Sequence, residues 1–455
     1  MRIDITPGAC YHSIMADPLG AAGSAEFPLA RARVRARAID AWCLYDVANS
    51  AFATSVVAAI LPVYFAAIAT RAMPANLATA KWGYASAAAM LGSGLAGPLI
   101  GAWADRHRMR KRLLGACVVI GTACTAGLAL VPPGSWPPLL ALFAVAFLAF
   151  AVGNALYDSL LPAVADPGDM HRVSARGFAW GYWGGGVLLA LNLAWILFPK
   201  RFGLANVDTA TRLSFASVAV WWLGFSIPLF LRVHEPHDER IGDDRSANPL
   251  TEVWTTVRSL GSRPELLRFL IAFWLYSDGI GTIVKMATVY GSEVGIGRND
   301  LIGSLLMVQF VAAPASLLFG RFARTLGPQR SVALGLVGYV AITVLGFYMT
   351  RPVHFWLLAV LVALFQGGTQ ALSRSMFASL VPRRRMSELF GFYSVSEKLS
   401  GVIGPLLFAV VAQVSGKGRF AVLTLLPFFV VGAWLLLTVN LDAGRRRAEA
   451  EDAAG

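Results

Sequence analysis

The sequence predicts an all-α membrane protein: twelve transmembrane helices in two pseudo-symmetric six-helix bundles. Three observations predict it. Apolar residues make up 56% of the 455-residue chain and charged residues only 14%, against about 45–50% and about 25% in ordinary globular domains. The apolar residues fall in runs of about 20, the length that crosses a bilayer core as a helix. The two halves of the chain also carry matching polar motifs. So few charges could not cover the surface of a soluble protein of this size, which excludes a soluble enzyme, a disordered chain, a collagen-like fibre and a disulfide scaffold together.

Taken in order, residues 1–37 carry Asp4, Asp17 and Glu26 and no apolar core behind a basic start. They read as a cytoplasmic tail, not a secretory signal. The tail ends in Arg31, Arg33, Arg35 and Arg37, an alternating basic run suited to anionic lipid. Apolar runs at about 41–69, 82–104, 112–131, 137–161, 177–198 and 212–232 form a first bundle, 38–232. Residues 233–267 hold the charged strings HEPHDER and GDDR and read as a cytoplasmic central loop. Runs at about 268–290, 301–323, 331–349, 354–380, 389–414 and 420–440 form a second bundle, 268–440, and residues 441–455 a cytoplasmic tail. With the N-terminus inside, 27 of the 39 Lys and Arg residues fall on inside segments and 9 on outside loops. That bias orients both termini to the cytoplasm, in the cell's inner membrane. The net charge of +13 is thus accounted for by topology, and nucleic-acid binding is not expected.

The bundles echo each other. WCLYD ends at Asp46 in the first run and WLYSD at Asp278 in the seventh. NALYDSLLP (154–162) in the fourth run matches QALSRSMFASLVP (370–382) in the tenth. Each of the latter is followed by a Gly-Phe start to the next run, at Gly177 and Gly391. Parallel six-helix repeats of this kind place a solute site at their interface near the bilayer midplane.

Ionisable residues within spans are expensive, which makes them functional candidates. Asp46, Asn49, Ser50 and Thr54 share one helix face, and lipid cannot satisfy such a face; the alternative is a structural network between helices. Asp278 and Lys285 lie two turns apart on the seventh run, with Gly279 and Gly281 weakening the helix between them. Asn154 and Asp158 share a face, as do Gln366, Gln370 and Arg374, and the repeat puts Asp158 and Arg374 at matching places in the two bundles. Opposite charges there would face each other across a central cavity, as a working pair or as a permanent salt bridge. Tyr393 stands one turn before Glu397 on the eleventh run. Gly101, Asp105, Arg106 and Arg110, in GAWADRHRMRKR, form a candidate gating loop between the second and third runs. The four cysteines form no CxxC and no Cys/His cluster, so no metal is expected. No phosphate loop, HExxH, GxSxG or GxGxxG occurs, so no cofactor, enzyme or ATP-driven engine is read from the chain.

These residues carry a resemblance. A Gly-x-x-x-Asp-Arg turn after the second helix of a duplicated twelve-span chain resembles the major facilitator superfamily. LYDVANSAF (44–52), YSDGIGTI (276–283), QGGTQALSRSMFASLVP (366–382) and FGFYSVSEKLSGVIGP (390–405) look like the branch of fungal vacuolar amino-acid effluxers of autophagy and their bacterial relatives. The likeness covers about 38–440. It departs at the gating loop, which reads DRHRMRK without the usual Gly, at Arg324 where the second repeat has Asp, and at Val47 where close relatives have Trp.

The resemblance implies a secondary transporter working by alternating access, with a small-molecule substrate, a coupling proton or other ion, membrane lipid around it and a monomeric state. Amino-acid export is the leading expectation. In it Arg374 would meet a substrate carboxylate, Asp46 or Asp278 an ammonium group, and Asp158 or Glu397 a coupling proton. The alternatives are an exporter of lipid or drug-like molecules and a non-transporting sensor of the same fold.

Overall fold

The computed structural model describes residues 18–69, 71–73, 75–132, 134–235, 258, 260–399, 403–415 and 418–454. Among these no strand occurs, and eleven helices are long and apolar enough to cross a membrane. The first six spans are α1 (Pro18–Ala51, continuing through a π-helical stretch Phe52–Ile60 and Leu61–Ala69), α2 (Ala75–His107), α3 (Arg110–Leu130), α4 (Trp136–Asp158, then Leu161–Val164), α5 (Met170–Leu197) and α6 (Val207–Arg232). The second six are α7 (Pro264–Glu293), α8 (Arg298–Thr325), α9 (Pro328–Phe347), α10 (Pro352–Leu380), α11 (Met386–Leu399 and Ile403–Ser415) and α12 (Gly418–Leu423 and Leu426–Thr438). A last helix, α13, spans Leu441–Ala454. The shorter apolar segment Ile403–Ala412, the second part of α11, completes the twelve.

Local chemistry explains the ends. Pro264, Pro328 and Pro352 open α7, α9 and α10, where the missing N–H costs nothing. Gly327 supplies the φ of +84° that turns the chain from α8 into α9. Asn206 caps α6 by accepting from the Thr209 amide at 2.8 Å. Glu235 does the same for α3 from a distance, accepting from the Arg110 amide at 2.9 Å. Residues 236–257 and 259 of the central loop, including most of HEPHDER and all of GDDR, lie outside the described residues, and α7 begins inside the expected loop, at Pro264.

Packing repeats with the sequence. In the first half α1 packs on α5 and α6, α2 on α4, and α3 on α4 and α6. In the second half α7 packs on α11 and α12, α8 on α10, and α9 on α10 and α12. The halves meet along two crossings related by the same exchange, α2 on α11 and α5 on α8. Two elements depart from the sequence expectation. Helix α1 begins at Pro18, well before its apolar run. The C-terminal tail is a docked helix: Glu451 accepts from both Arg263 Nε and Nη2 at 3.1 and 2.6 Å, and Asp452 from the Arg383 amide at 3.0 Å. Ala448 is buried.

The α2–α11 crossing depends on bare backbone. A Cβ on Gly391 would stand 2.6 Å from both Gly97 C and Pro98 N, and one on Gly101 2.4 Å from the Ser387 carbonyl oxygen. Gly92, on the same helix, has nothing within 4 Å. We expect Gly391→Ala to destabilise the protein by about 1–3 kcal/mol through overpacking and Gly92→Ala to leave it unchanged. Thermal unfolding in detergent compares the two; equal midpoints would show that the crossing tolerates a side chain.

Candidate functional site

The site is built around one guanidinium. Arg374 lies on α10 of the second half, buried to 3% exposure, and its partners lie on α1, α4 and α5 of the first. Nη1 donates to Asp158 Oδ1 at 3.0 Å. Nη2 donates to Asp46 Oδ2 at 3.3 Å and to the Ser174 carbonyl at 3.0 Å. Nε donates to Ser174 Oγ at 2.9 Å. Four of the five guanidinium N–H groups are therefore used inside the protein. Three aromatic faces enclose the cation, with its central carbon 4.7 Å from the Trp42 ring centre, 5.7 Å from Tyr157 and 4.3 Å from Phe178. Such faces attract a desolvated cation by roughly 2 kcal/mol or more in total.

Further contacts hold Asp46. The Tyr157 hydroxyl donates to its Oδ2 at 2.8 Å, and Tyr157 is fixed by stacking on Trp42 with ring centres 4.6 Å apart. Gly177 makes the approach possible: a Cβ there would stand 2.3 Å from Asp46 Oδ2 and 3.1 Å from Arg374 Nη2. One turn along α1, Asn49 donates to Asn154 Oδ1 of α4 at 3.0 Å. Toward the opposite end of α10, Gln370 accepts from the Tyr182 hydroxyl at 3.0 Å.

A second cluster closes the same end. Asp105, at the end of α2, accepts from the backbone amides of Ser387 and Glu388 at 3.2 and 3.0 Å. Those amides open α11, where a carboxylate meets the positive end of the helix dipole. Arg110 Nε donates to Asp105 at 2.7 Å, and Arg110 Nη2 to the Arg383 carbonyl at 2.8 Å. Ser387 and Ser159 hydroxyls meet at 2.9 Å. This loop bridges the halves, and Asp105 pairs with Arg110.

A family model described as vacuole effluxer Atg22 like matches residues 35–170 and 166–449. The chain belongs to this family. The MFS-type transporter YxiO of Bacillus subtilis is 38% identical over 402 residues, 88% of this chain and 94% of that protein. Autophagy-related protein 22 of Yarrowia lipolytica is 26% identical over 309 residues, 61% of this chain; the chain spans about half, 52%, of that fungal relative. Among solved structures, the human organic anion transporter MFSD10 has a TM-score of 0.68 at 14% identity, covering 88% of this chain and 99% of that one. The proton:xylose symporter XylE has a TM-score of 0.66 at 13% identity, covering 90% and 95%. At those identities the likeness shows the fold, which is the major facilitator fold. The Atg22-like chain is a multi-pass membrane transporter, and its relatives and neighbours are transporters, not enzymes.

The other sequence candidates fall elsewhere. Asp278 faces the second part of α11, where its Oδ2 accepts from the Gly404 amide at 2.9 Å and its Oδ1 is buried without a hydrogen bond among the described residues. Lys285, two turns on, is exposed. Tyr393 stacks between Phe273 and Phe377 inside the second half, with ring centres 4.2 and 4.8 Å away. The side chain of Glu397 lies outside the described residues. Among the described residues no group of His, Cys, Asp and Glu is placed to hold a metal ion. Sequence reasoning missed Tyr157, Ser174, Phe178 and Tyr182; of these only Tyr157, next to Asp158 in the LYD string, carried a local signal.

A buried charge left without its partner costs about 3–5 kcal/mol. Arg374→Met is expected to lower stability by that amount, and adding Asp46→Asn with Asp158→Asn to recover most of it. If the triple variant unfolds no later than the single one, the cluster is not an electrostatic unit.

Proposed function

We propose that this chain is a proton-coupled secondary transporter that exports small solutes, amino acids among them, by alternating access. Its termini face the cytoplasm of a cell membrane, and it works as a monomer. One observation carries the reading: two carboxylates of one half share a single guanidinium of the other at the closed end of the bundle. The direction draws support from the family's description as effluxers, the proton from the symporter among its structural neighbours, and the orientation from the distribution of Lys and Arg.

The chemistry follows from that sharing. Among the described residues, the hydrogen bonds between the halves run from Asp105 to the Tyr182–Gln370 pair, all toward the end of the bundle where α13 docks. Opening that side pulls Arg374 away from Asp46 and Asp158. Two carboxylates in a low-dielectric interior then lack a counter-charge, and a proton or the cationic group of a solute must take its place. Asp158 is the more open of the two, its side chain 18% exposed against 10% for Asp46, and serves as the proton's site. Asp46, held by Tyr157, faces the solute's ammonium group. Arg374 receives a solute carboxylate only once the halves part, because its donors are occupied in the closed state.

A second observation favours the alternative of an apolar cargo. The second half holds a half-open cavity of about 110 Å³ lined by Met286, Tyr290, Leu305, Phe355, Leu358 and Phe408. Lipophilic cations therefore belong in the same test panel. Purified protein in liposomes should move one class of labelled amino acid faster when a pH gradient is imposed. Asp158→Asn should keep solute exchange without a gradient and lose the response to it. A full gradient response in that variant removes Asp158 as the proton's site, and flux of lipophilic cations alone favours the alternative.

A further inference from the structure

We propose that Gln309 is a solute-contacting residue, whose side-chain amide oxygen accepts a hydrogen bond from an N–H or O–H group of the transported molecule. This rests on the transport reading above and names the chemistry of one contact within it.

Gln309 lies on α8 at the boundary between the halves. A Cβ on Gly186 of α5 would stand 2.9 Å from Gln309 Cβ, so the bare backbone of α5 is what lets this side chain sit between the bundles. Gly186 lies sixteen residues in from Met170 and Gln309 sixteen residues back from Thr325, about 24 Å along each helix from the closed end at 1.5 Å per residue. Successive layers of the closure are used up before that depth. His171 meets Ser375 Oγ at 2.7 Å, Ser174 Oγ donates to the Ala371 carbonyl at 2.7 Å, and Tyr182 donates to Gln370 at 3.0 Å. Gln309 is one turn of α5 beyond the last of these.

The neighbouring polar side chains are satisfied locally. Thr54 Oγ1 donates to the Ser50 carbonyl at 2.8 Å and Ser316 Oγ to the Ala312 carbonyl at 2.8 Å. Gln309 Oε1 is buried and has no hydrogen-bond partner among the described residues. Other buried unpartnered groups among the described residues, such as Asn192 Nδ2 and Tyr339 Oη, lie inside one half. An acceptor removed from water and left unpaired is a standing loss that a partner's donor recovers. Its neighbours on α8, Leu305 and Val308, line the apolar cavity together with Gln366 of α10. A solute with one hydrogen-bond donor beside an apolar tail fits that juxtaposition: the amide reads the donor and the cavity takes the tail.

The test uses L-leucine and 4-methylpentanoate, which differ by the amino group, as competing probes on the full chain in detergent and in liposomes. Wild-type protein should prefer leucine. Gln309→Leu should weaken leucine binding roughly tenfold and narrow the gap between the two probes, the remaining preference resting on Asp46 once the halves part, since a site built for a hydrogen bond discriminates through it. Gln309→Glu keeps the acceptor and should keep the preference. The same Gln309→Leu protein should unfold at an unchanged or higher temperature, because an apolar side chain replaces an unpaired polar one. Unaltered discrimination in Gln309→Leu, or a lowered unfolding temperature that reveals a structural hydrogen bond, overturns the proposal. If wild-type protein binds no leucine, the amino-acid reading fails by itself. The unfolding comparison needs no solute and then decides: a rise leaves Gln309 as a group kept for binding, a fall makes it structural.

Discussion

A guanidinium cannot shed its charge, so burying one commits the surrounding structure to neutralise it. Arg374 sets that commitment here. Its carboxylate partners and its aromatic faces come from the opposite half of the molecule, so the two bundles can close at this end only in the register that brings α1, α4 and α5 onto α10. The positions of Trp42, Tyr157 and Ser174 follow from the same demand. With two acids to one base, the cluster also holds one negative charge more than it can balance while both acids are ionised. A transporter can use that imbalance, because it gives an incoming proton or cation a defined place.

Closure also needs backbones to touch. Gly177 admits Asp46 and Arg374, and Gly101 and Gly391 let α2 and α11 cross with their backbones in contact. Membrane helices gain little from burying apolar surface against one another, since lipid is equally apolar; they associate through close packing and hydrogen bonds. Asp105 supplies the latter by capping α11. Both halves of the closure, the charge cluster and the capped crossing, involve elements of opposite bundles. One rigid-body movement of the kind proposed would therefore break them together.

Much of this was legible in the sequence, for physical reasons. Spans of about 20 apolar residues have few alternatives in a chain so poor in charge. The internal repeat puts Asp158 and Arg374 at matching places in the two bundles, and they meet at 3.0 Å. What escaped was set by packing between helices distant in sequence. Asp46 reads as the head of its own polar face, and nothing local says that it joins Arg374, 328 residues away. Tyr393 reads as part of a polar stripe with Glu397, yet Phe273 and Phe377 take its ring into an aromatic stack. Gln309 sits in an apolar run with no charge to mark it, and only its unpaired oxygen at the boundary distinguishes it. The docking of α13 was equally invisible, since Arg263 and Glu451 lie 188 residues apart.

The central claim is that Arg374 holds the two halves together at the end of the bundle where α13 docks. Spin labels on Arg172→Cys and Arg324→Cys, exposed positions at that end of α5 and α8, report the separation of the halves by pulsed electron resonance. The account predicts one short distance in protein whose four native cysteines are replaced by serine, and a shift to longer, broader distances when Arg374→Met is added. An unchanged distribution in that variant would show that the closure does not depend on the shared guanidinium.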